Sequence, residues 1–478
     1  MNCIFTCVFG NREYYGMFML LLESILKYGN LDDNIQILVY TTTEYMNLIK
    51  RSYLYSPTRI VFEVNNNITT IDAACKSRMD LYSFEPVKNN KYKKILYLDT
   101  DIIVKGPLGH VFEMITDDVI YVLSENITIG SYVPGTRADY MGDTLFGTEL
   151  TKYSGRKGFS SGIIGFNNCT SVRELFDRIR ADMTVRHHNF QDQPFFVYHA
   201  MTSNLYNSEA LHNHAVISSS TTDIHSPYAI HHFAGTPGSG GRKYQQMVEF
   251  LNSINDTRIV NTIAKSKEYI TEHLMPLVAA TGELLEGNLF TFHNRIPAFT
   301  NKFLHKTKNI SNLCMNLDCR NIMEIGFNSG FSALLILLSN PVARLTCFDL
   351  GEHKYVMPCY LKLRETFGDR INLVLGDSMQ TLQQHDGKYD LIHIDGGHTT
   401  EVGNSDMLQS YRLSRQGTVL ILDDTDIHHL VVLWEGYINK WGLLELDTFK
   451  YKTPHHDIRI VPPQPHVPST LNYKPTSS

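Results

Sequence analysis

At 478 residues the chain is too long for one ordinary hydrophobic core, so length alone points to two or three domains. A hydrophobic content of 43% and a charged content of 19% are those of a globular protein, and the formal charge of −6 argues against a nucleic-acid partner, whose usual footprint is a basic face. The longest apolar stretches, such as 17–22 and 333–338, are far too short to cross a bilayer, and the eight cysteines form no CxxC pair, as expected for free thiols in a reducing compartment.

In chain order, residues 3–9 read as a buried strand ending at Gly10, and 16–28 carry apolar residues at helical spacing until Gly29-Asn30. Strands follow at 35–40 and 92–98, and a short apolar one at 162–166. The third delivers Asp99-Thr100-Asp101 directly after an apolar run, and the chain then resumes as Ile102-Ile103-Val104. Residues i and i+2 of an extended backbone share a side, and buried carboxylates are costly unless paired or bound to a cation. Asp99 and Asp101 are therefore expected to face one Mn²⁺ or Mg²⁺, which would hold a diphosphate; turn or capping roles are the alternative. The alternation predicts an α/β domain with a mostly parallel sheet over 1–255.

Residues 254–284 are mainly helical in pattern, giving a connector over 256–300. A second alternating block occupies 301–461, with strands expected at 321–325, 344–348, 371–375, 391–394 and 418–422. From Pro462 the chain is rich in Pro, Ser and Thr and is expected to be a disordered tail, 462–478. In the second block, Glu324-Ile325-Gly326-Phe327-Asn328-Ser329-Gly330 reads as a strand, a glycine turn and a helix start, where backbone N–H groups can approach a ligand. The dinucleotide G-x-G-x-x-G form fails, because Asn328 and Phe331 stand at its second and third glycine positions. Carboxylates recur past the later strands, at Asp349, Asp377, Asp395 and Asp423-Asp424. In a doubly wound sheet these ends converge on one crevice.

The order Asp99-Thr100-Asp101, Ser160-Ser161-Gly162, Asp192-Gln193 and His232-Phe233-Ala234-Gly235 resembles a GT-A glycosyltransferase, most like the glycogenin and lipopolysaccharide-galactosyltransferase family. The resemblance implies a nucleotide-binding α/β sheet, a metal held by Asp99, Asp101 and His232, and a nucleotide-sugar donor, a UDP-sugar above all. It further implies base and ribose contacts at Thr6, Val8 and Phe9, a basic residue near the diphosphate at Arg78, and catalytic or sugar-orienting roles for Asp192 and Gln193. The family's phosphate-contacting lysine is missing from its place, with Arg242 or Lys243 available to stand in.

The second block resembles class I S-adenosylmethionine-dependent methyltransferases, a Rossmann-like fold, and among them the small-molecule O-methyltransferases. That resemblance implies cofactor contacts from Glu324, Gly326, Asn328, Gly330, Asp349 and Asp377. It also implies Mg²⁺ ligands at Asp395, Asp423 and Asp424, and a general base at His398. Helix capping by Asp423 and Asp424, and a structural loop role for His398, are the alternatives. Together the resemblances imply a bifunctional enzyme that transfers a sugar to a glycan or protein acceptor and O-methylates a sugar hydroxyl; with no secretion signal in the sequence, the cytoplasm (the host's, if the source is viral) is the expected location. In the competing reading the first domain is a degenerate glycan-binding or scaffolding module.

Overall fold

The computed structural model describes residues 1–218, 224–234, 240–291, 298–446 and 455–463. Gly235 of the fourth motif and residues 464–478 of the expected tail lie outside the described residues. The chain is α/β throughout and divides into two compact units. The first comprises Met1–Ile49, Leu54–Asn261 and Met315–Asp318; the second comprises Lys50–Tyr53, Thr262–Cys314 and the chain from Cys319 onward.

In the first unit the strands are β1 (Asn2–Val8), β2 (Ile35–Thr41), β3 (Ile60–Val64), β4 (Lys94–Leu98), β5 (Ile102–Val104), β6 (Ile120–Thr128), β7 (Lys157–Asn167), β8 (Tyr206–Asn207), β9 (Ala215–Ile217) and β10 (Ile230–His232). The main sheet has the order β3-β2-β1-β4-β7-β6-β8. Its β3-β2-β1-β4 half is parallel, whereas β7 runs antiparallel to both β4 and β6, so the sheet is mixed where a mostly parallel one was expected. Alternation along the strands puts Cys3, Phe5, Tyr97 and Ile164 against one apolar cluster. The helices Thr170–Val185 and Gln193–Ser203 cover it with Phe176, Ile179 and Phe196.

A second, small sheet, β5-β10-β9, sets the site. β10 pairs antiparallel with β5, His232 opposite Ile102, and the Phe233 N–H donates to the Asp101 carbonyl at 2.9 Å. A strand from late in the unit is thereby laid beside the residues that follow β4. The helix Arg12–Tyr28 starts earlier than the expected 16–28 because the Asn11 side chain accepts from the Glu13 and Tyr14 N–H groups, a side-chain N-cap.

In the second unit the strands are β11 (Asn321–Ile325), β12 (Arg344–Asp349), β13 (Ile371–Leu375), β14 (Tyr389–Ile394), β15 (Ser414–Asp423), β16 (Leu444–Glu445) and β17 (His456–Ile460). Their order is β13-β12-β11-β14-β15-β17-β16, parallel from β13 to β15, with β17 inserted antiparallel beside β15. The five expected strands are present, and the reversal of order beside β11 is the switch point at which such sheets bind ligands. Met323, Ile325, Ile392, Ile394, Leu420 and Leu422 face one core with Trp434 and Leu430 of the helix His428–Trp441. The intervening residues Glu324 and His393 therefore point to the opposite face, and they are register partners across β11 and β14. Between the units' sheets in sequence, the helix Gly240–Tyr269 is followed by a π-helical turn, Ile270–Leu274, and the helix Met275–Thr281.

Candidate functional sites

Asp99 follows β4, and its N–H is held by the Gly162 carbonyl of β7 at 2.9 Å. Its carboxylate Oδ1 accepts from the Tyr97 hydroxyl at 2.5 Å and from the Arg78 guanidinium at 3.0 Å. Arg78 is buried, with its carbon 4.3 Å from the centre of the Tyr97 ring. It also donates to the Ser161 carbonyl at 2.5 Å and lies 2.9 Å from the Asp192 carboxylate. One guanidinium thus ties Asp99 to Asp192, the residue that opens the helix Gln193–Ser203.

Asp101 has different neighbours. Its Oδ1 lies 3.3 Å from His232 Nε2, and its Oδ2 accepts from the Lys243 ammonium at 2.6 Å. Lys243 comes from the helix Gly240–Tyr269. Against the cost of burial, His232 and Lys243 hold the Asp101 carboxyl well below the usual range. Burial, opposed by Arg78 and reinforced by the Asp99 charge, pushes the Asp192 carboxyl up to about 6.

Three features fit this cluster to a divalent ion. One ligand atom each of Asp99, Asp101 and His232 lies within 4.8 Å of the others. Asp101 Oδ1 is buried and, with His232 Nε2 3.3 Å away, closes no hydrogen bond of good geometry. Gly162 supplies the room, since a Cβ there would sit 2.4 Å from His232 Cε1 and 3.0 Å from Asp99 Oδ2. Two carboxylates and one imidazole are a donor set suited to Mn²⁺.

The other expected contacts of this unit are less open. Thr6 and Val8 are buried in β1, and Phe9 packs edge-on against Tyr40 with ring centres 5.0 Å apart. Val8 and Phe9 belong to the core, whereas the Thr6 hydroxyl is buried with no hydrogen-bond partner. Gln193 is half-buried and directs its amide to the Tyr140 carbonyl at 3.4 Å.

In the second unit a cavity of about 660 Å³ opens above the carboxyl ends of β11, β12 and β14. Gly326 and Asn328 line it, with backbone φ of +93° and +51°. A Cβ on Gly326 would lie 1.9 Å from the Asp395 carbonyl, so only glycine lets the two strand ends approach. Gly330, at φ +76°, begins the helix Phe331–Ser339. Asp349 braces the loop: Oδ2 accepts from the Phe327 and Asn328 N–H groups at 2.9 and 2.8 Å, and Oδ1 from the Gly351 N–H at 2.8 Å. A carboxylate offers about four acceptor positions, leaving one for a ribose hydroxyl. Asp377 lines the cavity and caps the helix Ser378–Gln384 by accepting from the Met379 N–H at 2.9 Å. The glycine loop, the brace and the cavity fit an adenosyl cofactor.

Glu324 does not line this cavity. It is wholly buried, with Oε1 3.1 Å from His393 Nδ1 and Oε2 3.5 Å from Cys347 Sγ. It belongs to the sheet's interior network, because its strand parity turns it away from the loop. His393 Nε2 lies 3.3 Å from Asp423 Oδ2, which also pairs with the ammonium of buried Lys306. Against burial, Asp423 and Glu324 push the His393 imidazole up to about 10. Burial and the Asp423 charge raise the Asp395 carboxyl to about 8, opposed by Lys306 and His393.

Asp395, Asp423 and Asp424, expected to hold Mg²⁺, line one small pocket, but only the first two have converging carboxylate atoms. The atoms that converge within 4.8 Å belong to His393, Asp395 and Asp423, and the first lies between the Glu324 and Asp423 carboxylates, while Asp423 also carries the Lys306 ammonium. Asp424, at φ +54°, is turned aside to accept from His398 Nε2 at 2.7 Å. As arranged, these donors do not fit a divalent ion. Sequence reasoning missed Lys306, which lies on the helix Leu304–Cys314 ahead of the first strand and carries no local signal. It also passed over His393, although His393-Ile394-Asp395 has the same i, i+2 spacing that marked Asp99 and Asp101.

Residues 323–425 match the family described as a methyltransferase domain. This segment runs from within β11 through β15 and includes the loop beneath the cavity. No curated protein matches the chain in sequence. Among solved structures, the bifunctional glycosyltransferase WbbM is similar at 16% identity with a TM-score of 0.38, over 52% of this chain. The chain spans about half the length of WbbM, 49%. The galactosyltransferase LgtC, in complex with donor and acceptor sugar analogues, is similar at 13% identity and TM-score 0.34, covering 53% of this chain and 96% of LgtC. An O-methyltransferase from Bacillus cereus in complex with SAH is similar at 18% identity and TM-score 0.31, covering 41% of this chain and 90% of that one. Among the described residues no helix is long and apolar enough to cross a membrane.

Proposed function

We propose that the chain is a bifunctional glycan-modifying enzyme. Its first unit transfers a sugar from a nucleotide-sugar, a UDP-sugar in the first instance, to a glycan or protein acceptor. The observation that carries this reading is the convergence of Asp99, Asp101 and His232 around the space kept by Gly162. Mn²⁺ bound there would neutralise charge on the departing diphosphate. Lys243, already at Asp101, is placed to meet the diphosphate as a point charge. Arg78 fixes Asp99 and Asp192 relative to each other, so that Asp192 orients the sugar or acceptor from a defined position.

The second unit transfers a methyl group to a sugar hydroxyl. When bound, S-adenosylmethionine supplies an electrophilic methyl group. Asp349 and the Gly326–Gly330 loop bind and orient the adenosyl portion. His398 lines the same cavity and donates from Nε2 to Asp424, leaving Nδ1 to accept the acceptor's hydroxyl proton.

The ion pair between Lys243 and Asp101 also favours a second reading, in which the first unit binds glycans without transferring them, because the carboxylate already has a cation. Hydrolysis of UDP-sugars by the full chain separates the two. Turnover that requires Mn²⁺ and is lost in Asp101→Asn supports transfer. Absence of turnover with every donor, together with retained glycan binding, supports the binding module.

A further inference from the structure

The interior of the second unit holds a chain of four ionisable side chains. Both ring nitrogens of His393 face carboxylates, Nδ1 toward Glu324 at 3.1 Å and Nε2 toward Asp423 at 3.3 Å. An imidazole can donate from both nitrogens only as the cation. Asp423 is shared with the ammonium of Lys306. The row Glu324, His393, Asp423, Lys306 thus contains two anions and two cations. It is buried, and its charges compensate one another within the chain.

Lys306 differs from the other three because it also lines the cavity, together with Asp395, His398 and Asp424. Its side chain is only 7% exposed, so the ammonium stands at the wall of the cavity rather than in solvent. An ammonium has three donors, and Asp423 takes one. The others are available to an oxygen in the cavity, beside the imidazole assigned to remove a proton. A divalent ion between Asp395 and Asp423 would stand against the Lys306 ammonium, a like charge in a poorly solvated place.

We infer that Lys306 supplies the cation of this site from the chain itself, so that the second unit binds no divalent ion and its acceptor hydroxyl is held and polarised by the Lys306 ammonium. The inference rests on reading this cavity as a methyl-transfer site. It assigns the acceptor's reacting group to the class of hydroxyls that gain negative charge as the proton leaves.

Counting bound Mn²⁺ by electron paramagnetic resonance on the full chain tests it, with Mn²⁺ alone as the probe. In the wild-type background Asp395→Asn should remove no equivalent of bound Mn²⁺. Lys306→Ala should add one equivalent, and Asp395→Asn in that background should abolish it. Lys306→Met, which keeps the apolar stem, serves if the alanine variant does not fold. Loss of an equivalent from wild type on Asp395→Asn would overturn the inference without needing any Lys306 variant, as would a folded Lys306 variant that gains none. Calorimetric binding of S-adenosylhomocysteine to the wild-type chain is measured alongside. Its absence would count against the methyl-transfer reading itself, separately from the role of Lys306.

Discussion

Replacing Gly162 by alanine perturbs the N-terminal cluster by one methyl group and changes no charge. The new Cβ would lie 2.4 Å from His232 Cε1, 2.6 Å from His232 Nε2 and 3.0 Å from Asp99 Oδ2. Carbon contacts settle near ~3.5 Å, so the imidazole has to retreat by about 1 Å. Metal sites tolerate ligand displacements of only about 0.2 Å, and disturbing a ligand's support typically costs about 10–100-fold in affinity. That corresponds to roughly 1.4–2.7 kcal/mol of Mn²⁺ binding. The fold should survive, since overpacking costs about 1–3 kcal/mol. At a few degrees of melting temperature per kcal/mol for a unit of this size, a modest shift is expected. Calorimetric titration with Mn²⁺ and a thermal melt on the same sample read both quantities. Wild-type Mn²⁺ affinity in a folded Gly162→Ala protein would refute the idea that Gly162 keeps space for the ion.

Two further outcomes follow from the second unit. Gly326→Ala meets the Asp395 carbonyl at 1.9 Å in a backbone region that disfavours side chains, so it should abolish S-adenosylhomocysteine binding and lower the melting temperature. Retained binding would mean the loop does not form the cofactor's cradle. Burial, reinforced by the Asp377 charge, pushes the Asp406 carboxyl, whose two oxygens close no hydrogen bond, from 3.8 up to about 7. An acid raised on folding costs nothing while both states are protonated, and the cost grows as pH rises from about 4 to about 7, reaching up to about 4 kcal/mol. Wild-type stability should therefore fall across that window. Asp406→Asn should remove that component of the fall and be the more stable protein at pH 8, and equal pH slopes in denaturant melts would contradict this.

Much of the C-terminal sheet was legible because its signals are local. Each strand there is a short apolar run closed by a carboxylate or glycine, and the five expected strands recur with small changes at their ends. The Asp99–Asp101 pair was legible for the same reason. What spacing alone did not reach are the ion pairs that two lysines make from distant segments. Lys243 meets Asp101 from a helix, and Lys306 meets Asp423 from an element before the sheet begins. Neither spacing nor periodicity encodes such a meeting. Glu324 is the instructive exchange: its place in a motif suggested a ligand contact, whereas strand alternation between Met323 and Ile325 turns it into the sheet interior. The antiparallel insertion of β17 beside β15 also escaped, although His456–Ile460 alternates in burial along its length.

The central claim is that one chain carries two independent donor sites. The most direct measurement is calorimetry on the full chain, titrating a UDP-sugar with Mn²⁺ and then S-adenosylhomocysteine, for wild type, Asp101→Asn and Gly326→Ala. Wild type should bind one equivalent of each ligand, Asp101→Asn should lose only the UDP-sugar, and Gly326→Ala should lose only S-adenosylhomocysteine. Wild-type protein that binds neither donor, or an Asp101→Asn chain that keeps its metal-dependent UDP-sugar site, would contradict that claim.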